Sequence, residues 1–211
     1  MGHHHAHHHD RGLAALFRYL RLLPLLWRSE VNDAAVRELA VAPGERVVDL
    51  GAGAGAAAVP AAARGADVLA VDPLPVMRAI LRLRRLWPAR RGTIAVRAGA
   101  AEAIPAGDAS VDALWTVNTL HHWTDREAAA RELARVLKPG GRVLLVDEDF
   151  ESPAHPEHAR FVERRRHSGL SFDEVKPEAI ALALRTAGFA RAEGSGATLA
   201  GRPVKLVRAT R

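Results

Sequence analysis

The residues with most to offer chemically stand in two short runs. The first is VVDLGAGAG over residues 47–55, where β-branched Val47 and Val48 precede Asp49, and Leu50 leads into Gly51, Ala52, Gly53 and Gly55. Glycine lacks a Cβ, so the backbone can take positive φ there and lie flat against a ligand. The N–H groups of a following helix point into the same space. The carboxylate just before the turn sets the sign of that ligand: Asp49 repels a pyrophosphate and attracts a cation. The spacing also partly fits a dinucleotide fingerprint, with Ala56 in the last small position. The second run is NTLHHW, residues 118–123, containing Asn118, His121, His122 and Trp123. An imidazole titrates near neutral pH, so His121 or His122 can take a proton from an attacking hydroxyl or amine. Alternatively, one or both only hydrogen-bond locally and shape the turn.

Two further carboxylate groups follow the same logic. Asp72 stands about 20 residues beyond the glycine turn, before Pro73, at the end of an apolar run. At a neighbouring strand tip it can accept both hydroxyls of a ribose, or it can cap the next helix. Asp147, Glu148 and Asp149 either attract a cationic substrate or form a solvated strand end.

The elements that must position these residues read clearly. Strands are expected at residues 47–50, 67–72, 93–97, 111–117 and 142–149, separated by helices over about 54–64, 76–87 and 126–137. Asp125 caps the last of these, and Pro139-Gly140-Gly141 ends it. Pro60 lies inside the 54–64 helix and should distort it. A further helix runs from about Asn32 to Ala40, and another from Pro177 to Ala187. Two final strands near 189–194 and 203–209 can pair antiparallel. Strands alternating with helices imply an α/β domain with a largely parallel, doubly wound sheet. In such a sheet ligands sit beyond the carboxyl ends of the strands, where strand order reverses.

With these residues in view, VVDLGAGAG resembles motif I of the class I S-adenosylmethionine (SAM)-dependent methyltransferases, and LKPGGRVLLVDE (137–148) resembles the segment entering their fifth strand. The similarity is to the type 11 and UbiE-like small-molecule enzymes. It covers residues 44–149 by motif and the rest by element order. It implies a seven-stranded, mostly parallel Rossmann-like sheet with an antiparallel C-terminal hairpin. It also implies SAM as cofactor, held by Asp49, Gly51, Ala52, Gly53, Gly55, Asp72, Pro73 and Asn118. SAM carries an ammonium and a sulfonium, which suits Asp49. The family places an aspartate against the adenine amino group, and the matching position here is Ala100. Adenine recognition is then expected from the backbone near Ala101 and from Glu102, unless Glu102 is a solvated loop carboxylate. The acceptor is expected to be a small molecule. The rival readings are a nicotinamide-dependent oxidoreductase and a non-catalytic SAM-binding module. Nucleic-acid methylation is disfavoured, since no (Asn/Asp)-Pro-Pro-(Tyr/Phe) run follows the fourth strand.

Composition narrows the classes further. The chain has 211 residues and no cysteine, which removes disulfides, thiolate metal sites and cysteine nucleophiles. No apolar run is long enough to span a membrane, and a cytoplasmic location is expected. The net charge of +6 is read as a solvated basic surface. Residues 1–12 are expected to be a histidine-rich tail or tag that builds no catalytic metal site, and 13–42 an N-terminal helical cap. The methyltransferase domain is expected over 43–211. Leu13, Leu16, Phe17, Leu20, Leu23 and Trp27 recur at helical spacing among arginines, with Pro24 a break. That segment packs on the domain, covers the substrate or touches a membrane surface. Residues 150–176 suit a substrate-covering insertion, a solvated helix being the plainer reading.

Overall fold

A computed structural model describes residues 29–85, 91–168 and 175–211, with the side chains of 167 and 168 excepted. The expected tail, the basic segment 13–28 and the last residues of the 76–87 helix lie outside the described residues.

The elements are α1 (Glu30–Glu38), β1 (Arg46–Leu50), α2 (Ala58–Ala63), β2 (Asp67–Val71), α3 (Pro75–Arg84), β3 (Thr93–Arg97) and β4 (Val111–Val117). A 3₁₀ turn, Leu120–His122, precedes α4 (Arg126–Val136), β5 (Leu137–Glu148), α5 (His158–Ser168) and α6 (Pro177–Thr186). The hairpin β6 (Arg191–Leu199) and β7 (Arg202–Thr210) closes the sheet. The seven strands lie in the order β3-β2-β1-β4-β5-β7-β6. β1 pairs in parallel with both β2 and β4, and β7 runs antiparallel to β5 and β6. The expected fold class is therefore present. Strand order reverses between β1 and β4, and in such sheets the ligand crevice lies at the carboxyl ends of these strands.

Alternation along the strands divides the core into two layers. Val48, Leu50, Leu114 and Leu145 face α4 and α6, packing on Leu133, Ile180 and Leu184. Val47, Ala113, Trp115 and Leu144 face the other way, onto Val31 and Ala35 of α1 and onto Ala58 and Ala61 of α2. Asp49 belongs to this second, otherwise apolar layer, and is only 3 % exposed.

The boundaries that differ most from the sequence reading are three. The helix after the glycine turn begins at Ala58, four residues later than expected. Pro60 then falls in its first turn, where the missing N–H has no helical partner to lose, so no distortion follows. β5 begins at Leu137 and carries the Pro-Gly-Gly within it, its register with β4 slipping between Val111 and Ala113. The final hairpin is longer than expected. Ala200 and Gly201 both take positive φ, 50° and 74°, which makes a tight two-residue connection that lets pairing run out to Leu199 and Arg202.

Candidate active site

The glycine turn is built from its two flanks. Gly51 and Ala52 donate backbone N–H groups to the Val71 carbonyl (2.8 and 3.0 Å), which pins the start of the turn to the tip of β2. The three glycines do different jobs. A Cβ at Gly51 would lie 2.2 Å from Thr119 Cγ2, and one at Gly55 2.3 Å from Leu81 Cδ1. A Cβ at Gly53 would meet nothing within 4 Å, so this residue faces open space with φ +50°. Two glycines admit neighbouring side chains, and the central one keeps a surface bare.

Asp72, 6 % exposed, serves that turn directly. Its Oδ2 accepts from the Gly53 N–H and its Oδ1 from the Leu74 N–H, both at 2.8 Å. Burial pushes this carboxyl up, against the two backbone N–H groups and the Arg78 guanidinium. The Leu74 bond closes a turn ahead of α3, whose N-cap is Leu74 without a side-chain cap bond, so the helix-capping reading is not realised; the same carboxylate orients the Gly53 amide. Pro73 follows, its carbonyl accepting from Arg78.

Asp49 lies beneath the turn, opposite Trp115 in the β1–β4 register. Among the described residues, its Oδ2 and the Trp115 Nε1 are buried side-chain atoms without a hydrogen-bond partner. Burial pushes the Asp49 carboxyl up to about 7. The charge of Asp72 adds to the rise, while the Trp115 indole, near but outside hydrogen-bond geometry, and the Ala58 N–H hold it back. An unpartnered carboxylate oxygen in an apolar layer is unstable unless a donor or cation arrives. A phosphate there would worsen the position.

On the far side of the crevice, Asn118 directly follows β4 with φ +59°, a conformation asparagine tolerates better than most residues. Its amide bonds Glu148 twice: Nδ2 donates to Oε1 (2.9 Å), and Oδ1 accepts from the Glu148 N–H (2.7 Å). Glu148 Oε2 also meets Arg202 (3.0 Å) and the buried His155 Nε2 (3.1 Å). Because His155 Nδ1 accepts from the Glu157 N–H, its proton sits on Nε2.

His121 Nδ1 lies 2.8 Å from Asp147 Oδ2. Asp147 is only 4 % exposed, so the solvated-strand-end reading of the 147–149 carboxylates fails for it. Asp149 stands nearer the surface, 3.7 Å from Lys205. The two histidines separate here. His121 lines a cavity of about 270 Å³ with Asn118, Phe150, Phe161 and Lys205. His122 is exposed, with its ring 4.0 Å from that of His121. The segment after β5 supplies the opposite wall, Phe150 and Phe161 stacking at 5.7 Å. Thr119, which packs on Gly51, directly follows Asn118, so the cavity and the glycine turn are adjacent.

The Ala100 region is a small backbone turn. Ala100 and Ala103 exchange hydrogen bonds (3.3 and 3.1 Å), and Ala101 is buried. Glu102 turns away from it: one carboxylate oxygen accepts from the Thr124 N–H, the Thr124 hydroxyl and the Asp125 N–H, at 2.9, 2.9 and 3.2 Å. Burial raises its pKa, but these donors outweigh that and hold it below the ordinary value. Sequence reasoning missed His155 and the His121–Asp147 pair, whose members are 26 positions apart. Replacing Glu102 with alanine should cost about 1 kcal/mol in urea unfolding.

Comparison with known proteins agrees with this geometry. Residues 48–145 match the family described as a methyltransferase domain. Over 119 residues the chain is 46 % identical to an uncharacterized methyltransferase of Mycobacterium tuberculosis, covering 56 % of this chain and 46 % of that protein. It is 38 % identical over 119 residues to the ubiquinone/menaquinone biosynthesis C-methyltransferase of Rubrivivax gelatinosus, covering 56 % and 45 %. The chain thus spans about half the length of the curated relatives it matches. A solved SAM-dependent methyltransferase from Aquifex aeolicus shares the fold, with TM-score 0.66 at 20 % identity, over 93 % of this chain and 97 % of that one.

Proposed function

We propose, from the premise that residues 48–145 belong to the methyltransferase-domain family, that the chain as a whole transfers a methyl group from SAM to a small-molecule acceptor. The observation that carries the SAM reading is the unpartnered, buried Asp49 oxygen beneath a bare glycine turn. SAM, when bound, supplies a methyl group already activated by its sulfonium. The protein's share is alignment and exclusion of water, which can be worth about 7–11 kcal/mol in favourable cases.

In this reading Asp49 draws the cationic end of the cofactor, and the backbone of Gly51, Ala52, Gly53 and Gly55 bounds it. Asp72 retains unused lone pairs on both oxygens and accepts from the ribose hydroxyls, beside Pro73. With Glu102 committed to Thr124 and Asp125, the adenine falls to the backbone of Ala100 and Ala101. Asn118 forms the border with the acceptor cavity. His121 takes the proton of an acceptor hydroxyl or amine, and exposed His122 is the lesser candidate. We assign residues 43–211 to this domain. The absence of any helix among the described residues long and apolar enough to cross a membrane is compatible with a cytoplasmic enzyme.

Incubation with methyl-labelled SAM and cell extract, followed by identification of the labelled product, tests the activity. No labelled product, together with NADH but not SAM shifting tryptophan emission, would return the oxidoreductase reading to first place. Replacing Asp72 with alanine should weaken SAM binding about tenfold by calorimetry, because the Gly53 N–H loses its anchor and the ribose its acceptor. Asparagine, able to serve only one of the two N–H groups, should fall between. Unchanged affinity in the alanine variant would remove Asp72 from the ribose.

A further inference from the structure

Asp147 is the last residue but one of β5, and its two carboxylate oxygens are already distinguished by their partners. Oδ1 accepts from the backbone N–H of Leu120 (3.2 Å), and Oδ2 meets His121 Nδ1 (2.8 Å). Both partners belong to the 3₁₀ turn Leu120–His122, which folds the chain exit of β4 back over the end of β5. The neighbouring carboxylate does not compete for the imidazole, since Glu148 is held by Asn118, His155 and Arg202. A carboxylate accepts and cannot donate once ionised, so the imidazole must present an N–H to it.

We propose that Asp147 is a positioning residue that holds neutral His121 in the Nδ1–H tautomer, making Nε2 the basic nitrogen offered to the acceptor cavity. This rests on His121 being the base, as argued above. In the step so assisted, the acceptor X–H gives its proton to Nε2, the X lone pair forms the new bond to the methyl carbon, and the C–S bond breaks to release S-adenosylhomocysteine. The imidazolium then holds the proton beside the Asp147 carboxylate until solvent removes it.

The Leu120 amide makes the proposal testable by one atom. In Asp147→Asn the Leu120 N–H still requires an acceptor, so the new amide places its oxygen there and turns its NH₂ toward His121. Nδ1 must then accept, and the ring proton moves to Nε2, where it blocks the basic lone pair. Long-range ¹⁵N–¹H NMR on the full chain, with His121→Asn assigning the signals, reads the tautomer directly. We expect Nδ1–H in the wild type and Nε2–H in the asparagine variant. Transfer from methyl-labelled SAM into the acceptor fraction of cell extract should fall about 100-fold in kcat, with little change in KM. SAM affinity should stay within about twofold, which separates lost orientation from a damaged fold. A wild-type ring protonated on Nε2, or a variant that keeps Nδ1–H, overturns the role of Asp147. A tautomer that switches while the transfer rate holds overturns His121 as the base, a distinct failure.

Discussion

Asp49→Asn should melt higher than the parent protein and bind SAM worse, and the two effects should have different pH dependence. With its pKa raised by burial to about 7, Asp49 binds a proton in the folded state that the unfolded chain has released above pH ~4. Stability therefore falls as pH rises from about 4 to about 7, and the cost levels off above that at ~4 kcal/mol. Asparagine removes the titration. Its amide hydrogens lack buried acceptors and take back about 1–3 kcal/mol. A net gain of ~1–3 kcal/mol at pH 8 corresponds to several degrees in Tm for a chain of this size. At pH 4, where the folded-state carboxyl is protonated and the unfolded one is about half so, the gain should vanish or reverse. Cofactor binding moves the other way. A cation prefers the ionised carboxyl, so wild-type affinity should rise about tenfold from pH 6 to pH 8, and the asparagine variant should be weak and flat across that range. Thermal unfolding at the two pH values and calorimetric titration check both. A variant that binds SAM as tightly as the wild type would detach the buried carboxyl from the cofactor.

Gly53→Val should leave a folded protein that no longer binds SAM, whereas valine at Gly51 or Gly55 should damage the fold itself. The difference follows from what each new side chain would meet. At Gly51 and Gly55 a Cβ enters Thr119 and Leu81 at 2.2 and 2.3 Å. At Gly53 it enters open space, and the remaining cost is the positive φ, about 1–2 kcal/mol. That space is where the cofactor is expected, so binding should be undetectable by calorimetry while the circular dichroism spectrum is retained. Normal SAM affinity in Gly53→Val would show that the cofactor runs elsewhere.

Much of this was legible in the chain because local rules and global fold coincide there. The alternation of β-branched strands with amphipathic helices, and the DLGAG turn after β1, required no tertiary information. Boundaries slipped where tertiary contacts overrode propensity, as at α2, which starts late because residues 51–57 are drawn into a turn anchored on Val71. The side-chain partnerships were less legible. Glu102 could be a ligand contact or a loop carboxylate by sequence, and only the proximity of Thr124 and Asp125 shows where it is spent. Asp147 stands near the end of β5 and His121 just beyond the end of the adjacent parallel β4, and only the strand pairing brings them together. His155 left no signal, since its burial depends on Phe150, 4.4 Å from its ring, and on Glu148.

The contact of Arg202 with Glu148 joins the closing hairpin to the acceptor side of the crevice, and Lys205 of the same strand lines the cavity. Randomised libraries seeking new acceptors would therefore miss a productive region if they stopped at the strand-end motifs. Lys205, remote in the gene from the residues we assign to the methyl donor, offers a handle on selectivity from the hairpin side of the cavity.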